Sequence, residues 1–272
     1  MIVRKLIQKM QFCNVVAIIC GWLLLLGVAF LPRTGLADMP ASLQRVVAVL
    51  NGKSVQLEDG ETVRLAGLQV PNLAEKAGKM RPGQPMGEAS QKALETMVLN
   101  QPVQLSFGPS VRDRKGRLLA ELTLQDGRNI QQEMLKQGMA MVYFFPDNRT
   151  WLKPLLAFEQ EARAAGRGIW AHPYWQVADA ASLRDSAERY RLIEGVPRSI
   201  KQVGKRWFIN FGEDWKTDVT AMIPERAARD YFKGIDIAAY QGKRLRLRGW
   251  IYRYNGPMLD LLLPEQVEVL GD

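Results

Sequence analysis

The sequence predicts a mainly β fold with a few helices, and two observations in Val46–Trp170 predict it. From Val46 to Asn72 apolar and polar residues alternate, interrupted by Asn51-Gly52 and Asp59-Gly60. Such dipeptides favour tight turns with positive φ, so the stretch is a curled antiparallel sheet. Further on, apolar residues recur at helical spacing in three segments, each bounded by turn or cap residues.

Strands are expected at Val46–Leu50, Ser54–Leu57 and Thr62–Leu68. Asn72 to Pro85, rich in Gly, Pro and Lys, is expected as a loop. Gly87–Leu99 carries Ala89, Ala93, Leu94, Met97 and Val98 on one side and is expected as a helix. Val103–Phe107 and Leu118–Leu124 are strands, joined through the hairpin tip Asp113–Arg117. Asp126-Gly127 turns the chain. Asn129 is then an N-cap, with Gln132 three residues on completing a capping box. The helix Ile130–Gln137 buries Ile130, Met134 and Leu135, and Gly138 supplies the left-handed residue that ends it. A third helix, Trp151–Ala165, is capped by Thr150 and has Pro154 in its first turns, where a missing amide donor costs least. Leu155, Leu156, Phe158 and Ala162 form its apolar side, and Ile169 and Trp170 return to the core.

The chain begins with Arg4, Lys5 and Lys9, followed by an uncharged apolar run, Phe12–Leu31, and by Gly35-Leu36-Ala37. This is the pattern of a signal peptide cut after Ala37. The run is also long enough to stay as a membrane anchor. Either way, residues 1–37 place the rest outside the cytoplasm, periplasmic or secreted, or anchored by residues 12–31. Both cysteines, Cys13 and Cys20, lie in this segment, so a cleaved product has no cysteine nucleophile, metal clamp or disulfide. The formal net charge is +9, and without Arg4, Lys5, Lys9 and Arg33 it is +5. That favours acidic partners without demanding them. The single histidine, His172, argues against a histidine-based general base or zinc site.

In order, Asn51-Gly52-Lys53-Ser54, Arg64, Gln69-Val70-Pro71-Asn72, Asp113–Arg117, Gln137–Ala140 and Gly166–Trp170 resemble the thermonuclease (staphylococcal nuclease-like) family. The resemblance implies a five-stranded OB-type barrel with three helices over residues 43–172. It also implies a site in which two aspartates and a threonine carbonyl hold one calcium ion. A glutamate activates water there, and two arginines bind phosphate. A hard cation wants anionic oxygens, and a guanidinium grips two phosphate oxygens at once.

Carried over by position, the family's first metal aspartate falls on Lys53, the second on Gln69, the threonine on Val70 and the glutamate on Asn72. The two arginines match Arg64 and Arg117. Lys53 puts a positive group where a dication would sit. Gln69 and Asn72 offer hydrogen bonds but no good general base. The expectation is a pseudoenzyme with no cofactor and no metal. Lys53, Arg64 and Arg117 then form an anion pocket, unless Arg64 and Arg117 only pair with acids such as Glu61 or Asp113. In a shifted register Asp59, Glu61 or Asp113 would instead supply ligands, and calcium belongs to that alternative alone.

Residues 173–189 are expected as a linker. From 190 to 272 several strands, a helix signal at Pro224–Phe232 and a final hairpin predict a second small barrel, again OB-like. In Lys243–Tyr254, period two puts Leu245, Leu247, Gly249 and Ile251 on one side. Arg244, Arg246, Arg248, Trp250, Tyr252 and Tyr254 lie on the other. Guanidiniums mixed with rings can hold phosphates and stack bases, so these six are candidates for a nucleic-acid face. They are equally the outer surface of a barrel strand. Two functions remain open: an extracytoplasmic binding protein for nucleic acid, another polyanion or a protein partner, attached to the membrane if the N-terminal segment stays; or a metal-dependent phosphodiester hydrolase with displaced ligands.

Overall fold

Turn chemistry and period-two alternation place the first strands where the sequence puts them. In a computed structural model, which describes residues 43–74, 82–146, 149, 153–184 and 188–271, strands β1 (Gln44–Asn51), β2 (Ser54–Leu57) and β3 (Thr62–Leu65) form an antiparallel meander. Strand β4 is the short Leu68–Gln69, so the expected strand Thr62–Leu68 breaks in two around Ala66-Gly67. Gly67 has φ 77° there, a conformation glycine takes at little cost. Strands β5 (Pro102–Arg112) and β6 (Leu118–Leu124) complete a closed barrel in the order β1-β2-β3-β6-β5. Val46, Val55, Leu57, Val63, Leu65, Val103, Ala120 and Leu122 fill it.

Helix α1 (Gly87–Val98) buries Leu94 and Val98 against the barrel. In α2 (Ile130–Lys136) Ile130, Met134 and Leu135 are buried, and the Asn129 side chain accepts from the Gln132 amide at 3.0 Å. Gly138 has φ 68° and ends the helix. A side chain there would collide with the Arg167 carbonyl, and one at Gly168 with the Gly138 carbonyl. The two glycines let α2 lie directly against the turn that precedes Trp170. Helix α3 is Leu155–Ala164, with Pro154 at its cap position. The expected start of this helix at Trp151 lies outside the described residues. The Thr150 cap and the N-terminal signal or anchor segment lie outside the described residues. No helix among the described residues is long and apolar enough to cross a membrane.

Among the described residues of 173–189, several pack into the fold. Trp175 is buried, and its indole N–H donates to the Pro85 carbonyl at 2.9 Å. Strand β8 (Ala178–Asp179) runs parallel to β9 (Arg189–Gly195), and Ala180 and Leu183 are buried.

The C-terminal strands β10 (Ser199–Val203), β11 (Arg206–Asn210), β12 (Thr220–Ile223), β13 (Leu245–Tyr254), β14 (Gly256–Asp260) and β15 (Val267–Val269) join β8 and β9 in one sheet. The order is β10-β11-β12-β14-β13-β9-β8, with β15 also on β13. Its ladder does not close as the first one does. Strands β9 and β10 are consecutive in the chain but part at Val196-Pro197-Arg198, where proline has no amide to donate. Helix α4 (Glu225–Asp230) follows Pro224. Asn255, at φ 62°, turns β13 into β14.

Among the contacts that join the barrel and this sheet in a single compact unit is a buried group of ion pairs. Helix α3 presents Glu159, fully buried, to Arg248 of β13, also fully buried. Arg248 donates to both Glu159 oxygens, at 3.0 and 3.1 Å, and to Glu268 of β15. Glu159 also accepts from the Val142 amide at 2.6 Å and from Arg163 at 3.1 Å. Arg246 holds Glu268 and Glu194. Burial works against the charge on Arg248, but Glu159 and Glu268 outweigh it and hold its pKa above the usual arginine value. Burial likewise opposes charge on Glu268, yet Arg248 and Arg246 keep its pKa below the usual carboxylate range.

Removing one partner of such a pair leaves the others buried and unpaired, which costs about 3–5 kcal/mol. Arg248→Met is therefore expected to lose about that much stability in urea denaturation. The triple change Arg248→Met, Glu159→Gln and Glu268→Gln should recover part of it. A loss below about 1 kcal/mol for the single change would mean the pair is a bystander.

Candidate functional site

Lys53 sits in the two-residue turn between β1 and β2. Its amide donates to the Asn51 side chain at 3.0 Å, and its carbonyl accepts from the Leu65 amide at 2.8 Å. Gly52 is pressed against Ser90 of α1, with no room for a side chain. The turn is thus tied to β3 and to α1. Arg64 stands opposite Ser54 on β3, and Arg117 closes the hairpin between β5 and β6.

The structure brings Lys53, Arg64, Gln69 and Arg117 together. Lys53 Nζ donates to Gln69 Oε1 at 2.9 Å, and Gln69 Nε2 donates to the Val70 carbonyl at 3.1 Å. Gln69 is buried. Burial first, and then the charges of Arg64 and Arg117, pull the Lys53 ammonium down to about 7. Burial and Arg117 also lower Arg64 from its usual value. The Arg64 guanidinium lies 5.9 Å from the centre of the Tyr143 ring. Arg117 is held by Asp113 at 2.5 Å. Among the described residues, neither Lys53 nor Arg64 has a carboxylate in ion-pair contact.

Asn72 is not hydrogen-bonded to this group. It is exposed, and its backbone exchanges two hydrogen bonds with Gln84, at 2.9 and 2.8 Å. The acids of the shifted register are engaged elsewhere. Glu61 binds Arg112 at 2.8 Å, Asp113 holds Arg117, and Asp59 accepts from the Glu61 amide at 2.9 Å. Among the described residues no cluster of three or more His, Cys, Asp or Glu side chains has the arrangement of a metal site.

The six candidates on β13 do not form one open cationic face. Arg248 is wholly buried against Glu159. Arg246 is spent on Glu194 and Glu268, and Arg244 on Glu194. Tyr252 donates its hydroxyl to Asp260 at 2.6 Å. Only Trp250 and Tyr254, 41% and 66% exposed, remain open among the six rings and guanidiniums with large surface to solvent apart from Arg244. The alternation placed these residues on the correct side of the strand. It could not show that α3 covers that side. Glu159 was the missed residue, and its signal is its position: it sits between Leu155 and Ala162 in the apolar stripe of α3.

The sequence profile described as "Staphylococcal nuclease homologue" matches residues 62–172. An "Uncharacterized endonuclease" of Escherichia coli O157:H7 is 32% identical over 130 residues, which are 47% of this chain and 76% of the relative. The chain belongs to the staphylococcal nuclease homologue family. Endonuclease YncB of Bacillus subtilis (strain 168) is 30% identical over 128 residues, 46% of this chain and 56% of the relative. A thermonuclease of Staphylococcus hyicus is 24% identical over 165 residues, 57% of this chain and 95% of the relative. The matched profile runs from the middle of the barrel to the turn after Trp170. It includes Arg64, Gln69, Asn72 and Arg117.

A lysine with a lowered folded pKa binds fewer protons than the unfolded chain does between pH 7 and the usual lysine value of 10.5. Stability therefore rises with pH across that window, by at most about 1.4 kcal/mol per pH unit. Lys53→Met removes this dependence. Its thermal midpoint is expected above that of the natural chain at pH 6, with the gain shrinking towards pH 10. A gain that does not change with pH would show that Lys53 is an ordinary solvated lysine.

Proposed function

We propose that the chain is a catalytically degenerate, extracytoplasmic member of its family that binds a polyanion at Lys53, Arg64 and Arg117. The observation carrying this reading is the hydrogen bond from Lys53 to Gln69. By the family resemblance these two positions belong to metal-binding aspartates. Here a cation and a neutral amide stand there and hold each other.

The donor set does not fit calcium. That ion takes about 6–8 oxygen ligands, with carboxylates prominent among them. Lys53 offers three donors and no acceptor, Gln69 Oε1 is already engaged, and Arg64 and Arg117 add positive charge. What the site can do is receive negative charge. A bound phosphate relieves the mutual repulsion of the three cations, and the arginines can grip it in bidentate fashion.

Nucleic acid is the polyanion favoured by the relatives' names. The basic start and the apolar run Phe12–Leu31 support a position outside the cytoplasm, cleaved after Ala37 or anchored. The C-terminal sheet supports an OB-like second domain over residues 190–272. It repeats the first barrel's antiparallel, antiparallel, parallel pairing series from β10 to β14, and β13 returns to β9, the strand just before β10 in the chain.

Fluorescence anisotropy with a labelled single-stranded oligonucleotide tests the reading. Binding should weaken with salt at a slope of about −0.7 per phosphate neutralised. Arg64→Ala with Arg117→Ala should make that slope shallower. Affinity should fall between pH 6 and pH 8, because only the protonated form of Lys53, titrating at about 7, attracts the ligand. Calcium should release no acid-soluble nucleotide. Calcium-dependent cleavage abolished by a chelator would overturn the reading in favour of a working nuclease with displaced ligands. Binding unchanged by the arginine substitutions would remove the cluster as the site.

A further inference from the structure

The contact between the barrel and the C-terminal sheet leaves a cavity of about 220 Å³ beside the buried ion pairs. Its walls include Tyr143, Phe144, Tyr190, Trp250, Tyr252 and Asp260. The sheet brings most of them together. Tyr190 of β9 is the direct partner of Trp250 on β13, Tyr252 is two residues further on the same side, and Asp260 lies on the adjoining β14. Tyr143 and Phe144 come from the chain just after β7 (Met141–Val142).

We propose that this cavity binds a small methylated ammonium group. The rings stand at steep angles to one another. Tyr190 and Trp250 are 5.9 Å apart at 70°, and Tyr143 and Tyr190 are 5.6 Å apart at 57°. A flat base can stack on one such ring but not between them. A compact, near-spherical cation can meet several ring faces at once, and each face attracts positive charge. The rings are held in place. The Tyr190 hydroxyl donates to the Val142 carbonyl at 2.9 Å, and the Tyr252 hydroxyl to Asp260 Oδ1 at 2.6 Å.

Charge agrees with shape. Asp260 lines the cavity, accepts from the Tyr252 hydroxyl, and among the described residues takes part in no ion pair. The nearby guanidinium of Arg248 is answered by Glu159 and Glu268. Arg64 lies 5.9 Å from the Tyr143 ring centre and is not a wall of the cavity. Hydrogen-bond capacity decides between a methylated and a bare ammonium. Gln266 is saturated: its oxygen accepts from the Leu262 and Leu263 amides, and its nitrogen donates to the Arg248 and Asp260 carbonyls. An unmethylated ammonium ion brings four donors, and the one carboxylate in the wall, Asp260, cannot meet them all among these rings. Methyl groups need none.

Isothermal titration calorimetry of the full chain with choline, tetramethylammonium, ammonium and 3,3-dimethylbutanol tests this. The last compound has the shape of choline without its charge. Choline and tetramethylammonium should bind, with ammonium and the neutral compound at least about tenfold weaker, as expected when the charge or its contact with the rings is lost. Asp260→Asn and Trp250→Ala should each weaken choline by about tenfold, and Trp250→Phe should restore part of the loss. Circular dichroism of each variant establishes that it is folded, and Asp260→Asn keeps the shape of the site should Trp250→Ala fail to fold. Equal binding of choline and its neutral analogue would overturn the proposal, as would no choline binding at tens of millimolar. Lys53 and Arg117 do not line this cavity, so substitutions there keep failure here and failure of polyanion binding separable.

Discussion

A charged side chain taken wholly out of water needs its countercharge beside it, and Arg248 shows what that need imposes. Glu159 can reach it only if α3 lies across β13, and Glu268 only if β15 runs along the same strand. The Val142 amide, bonded to Glu159, then sets the height of the segment after Ala140. Tyr190 fastens the carbonyl of the same residue. The relation of barrel to sheet thus follows from a handful of polar bonds in an otherwise apolar contact. Apolar packing alone is tolerant of sliding, whereas a bidentate guanidinium–carboxylate pair has one good geometry. The aromatic cavity is a by-product of that geometry. Its rings come from both sides of the contact, and neither side forms it alone.

What the sequence made legible was local. Asp59-Gly60 set the second hairpin with Gly60 at φ 86°, whereas at the first neither Asn51 nor Gly52 has positive φ and the Asn51 side chain, accepting from the Lys53 amide, holds the turn; alternation set the strands beside them. The Asn129 cap and Gly138 bounded α2 because each acts through its own backbone within a few residues. What stayed hidden depended on distant chain. Period two says which side of β13 carries Arg244, Arg246 and Arg248, but not what lies above it. A strand on the surface of an isolated barrel and one beneath a docked helix have the same alternation. The acids that answer those arginines, Glu159, Glu194 and Glu268, are spread over about a hundred residues of chain. The packing of the described residues within 173–189 stayed hidden for a related reason. That segment's Pro, Ala and Ser content looks like a connection, yet Trp175 and Leu183 find partners that only the folded arrangement provides.

The candidate anion site was legible to the extent that motif order fixes position. Lys53, Arg64, Gln69 and Arg117 meet as the resemblance implies, and Asn72 does not join their hydrogen bonds. The sequence could not show how Lys53 is accommodated. A glutamine oxygen takes one of its three donors, which directs the ammonium without neutralising it. That arrangement also explains why Gln69 can be buried: both ends of its amide are hydrogen-bonded.

Two buried clusters of positive charge therefore follow opposite rules in one molecule. Around Arg248 the chain supplies its own carboxylates, and each positive group has a negative neighbour in contact. Around Lys53 and Arg64 it supplies an amide, a ring and a single aspartate that belongs to Arg117. Folding alone explains the first cluster, because its charges cancel inside the fold. It does not explain the second, in which Lys53 and Arg64 are lowered in pKa by burial and by neighbouring cations. A group of cations that costs stability in the free chain gives that cost back when an anion arrives. The imbalance of charge, more than any single residue, sets the second cluster apart from the first.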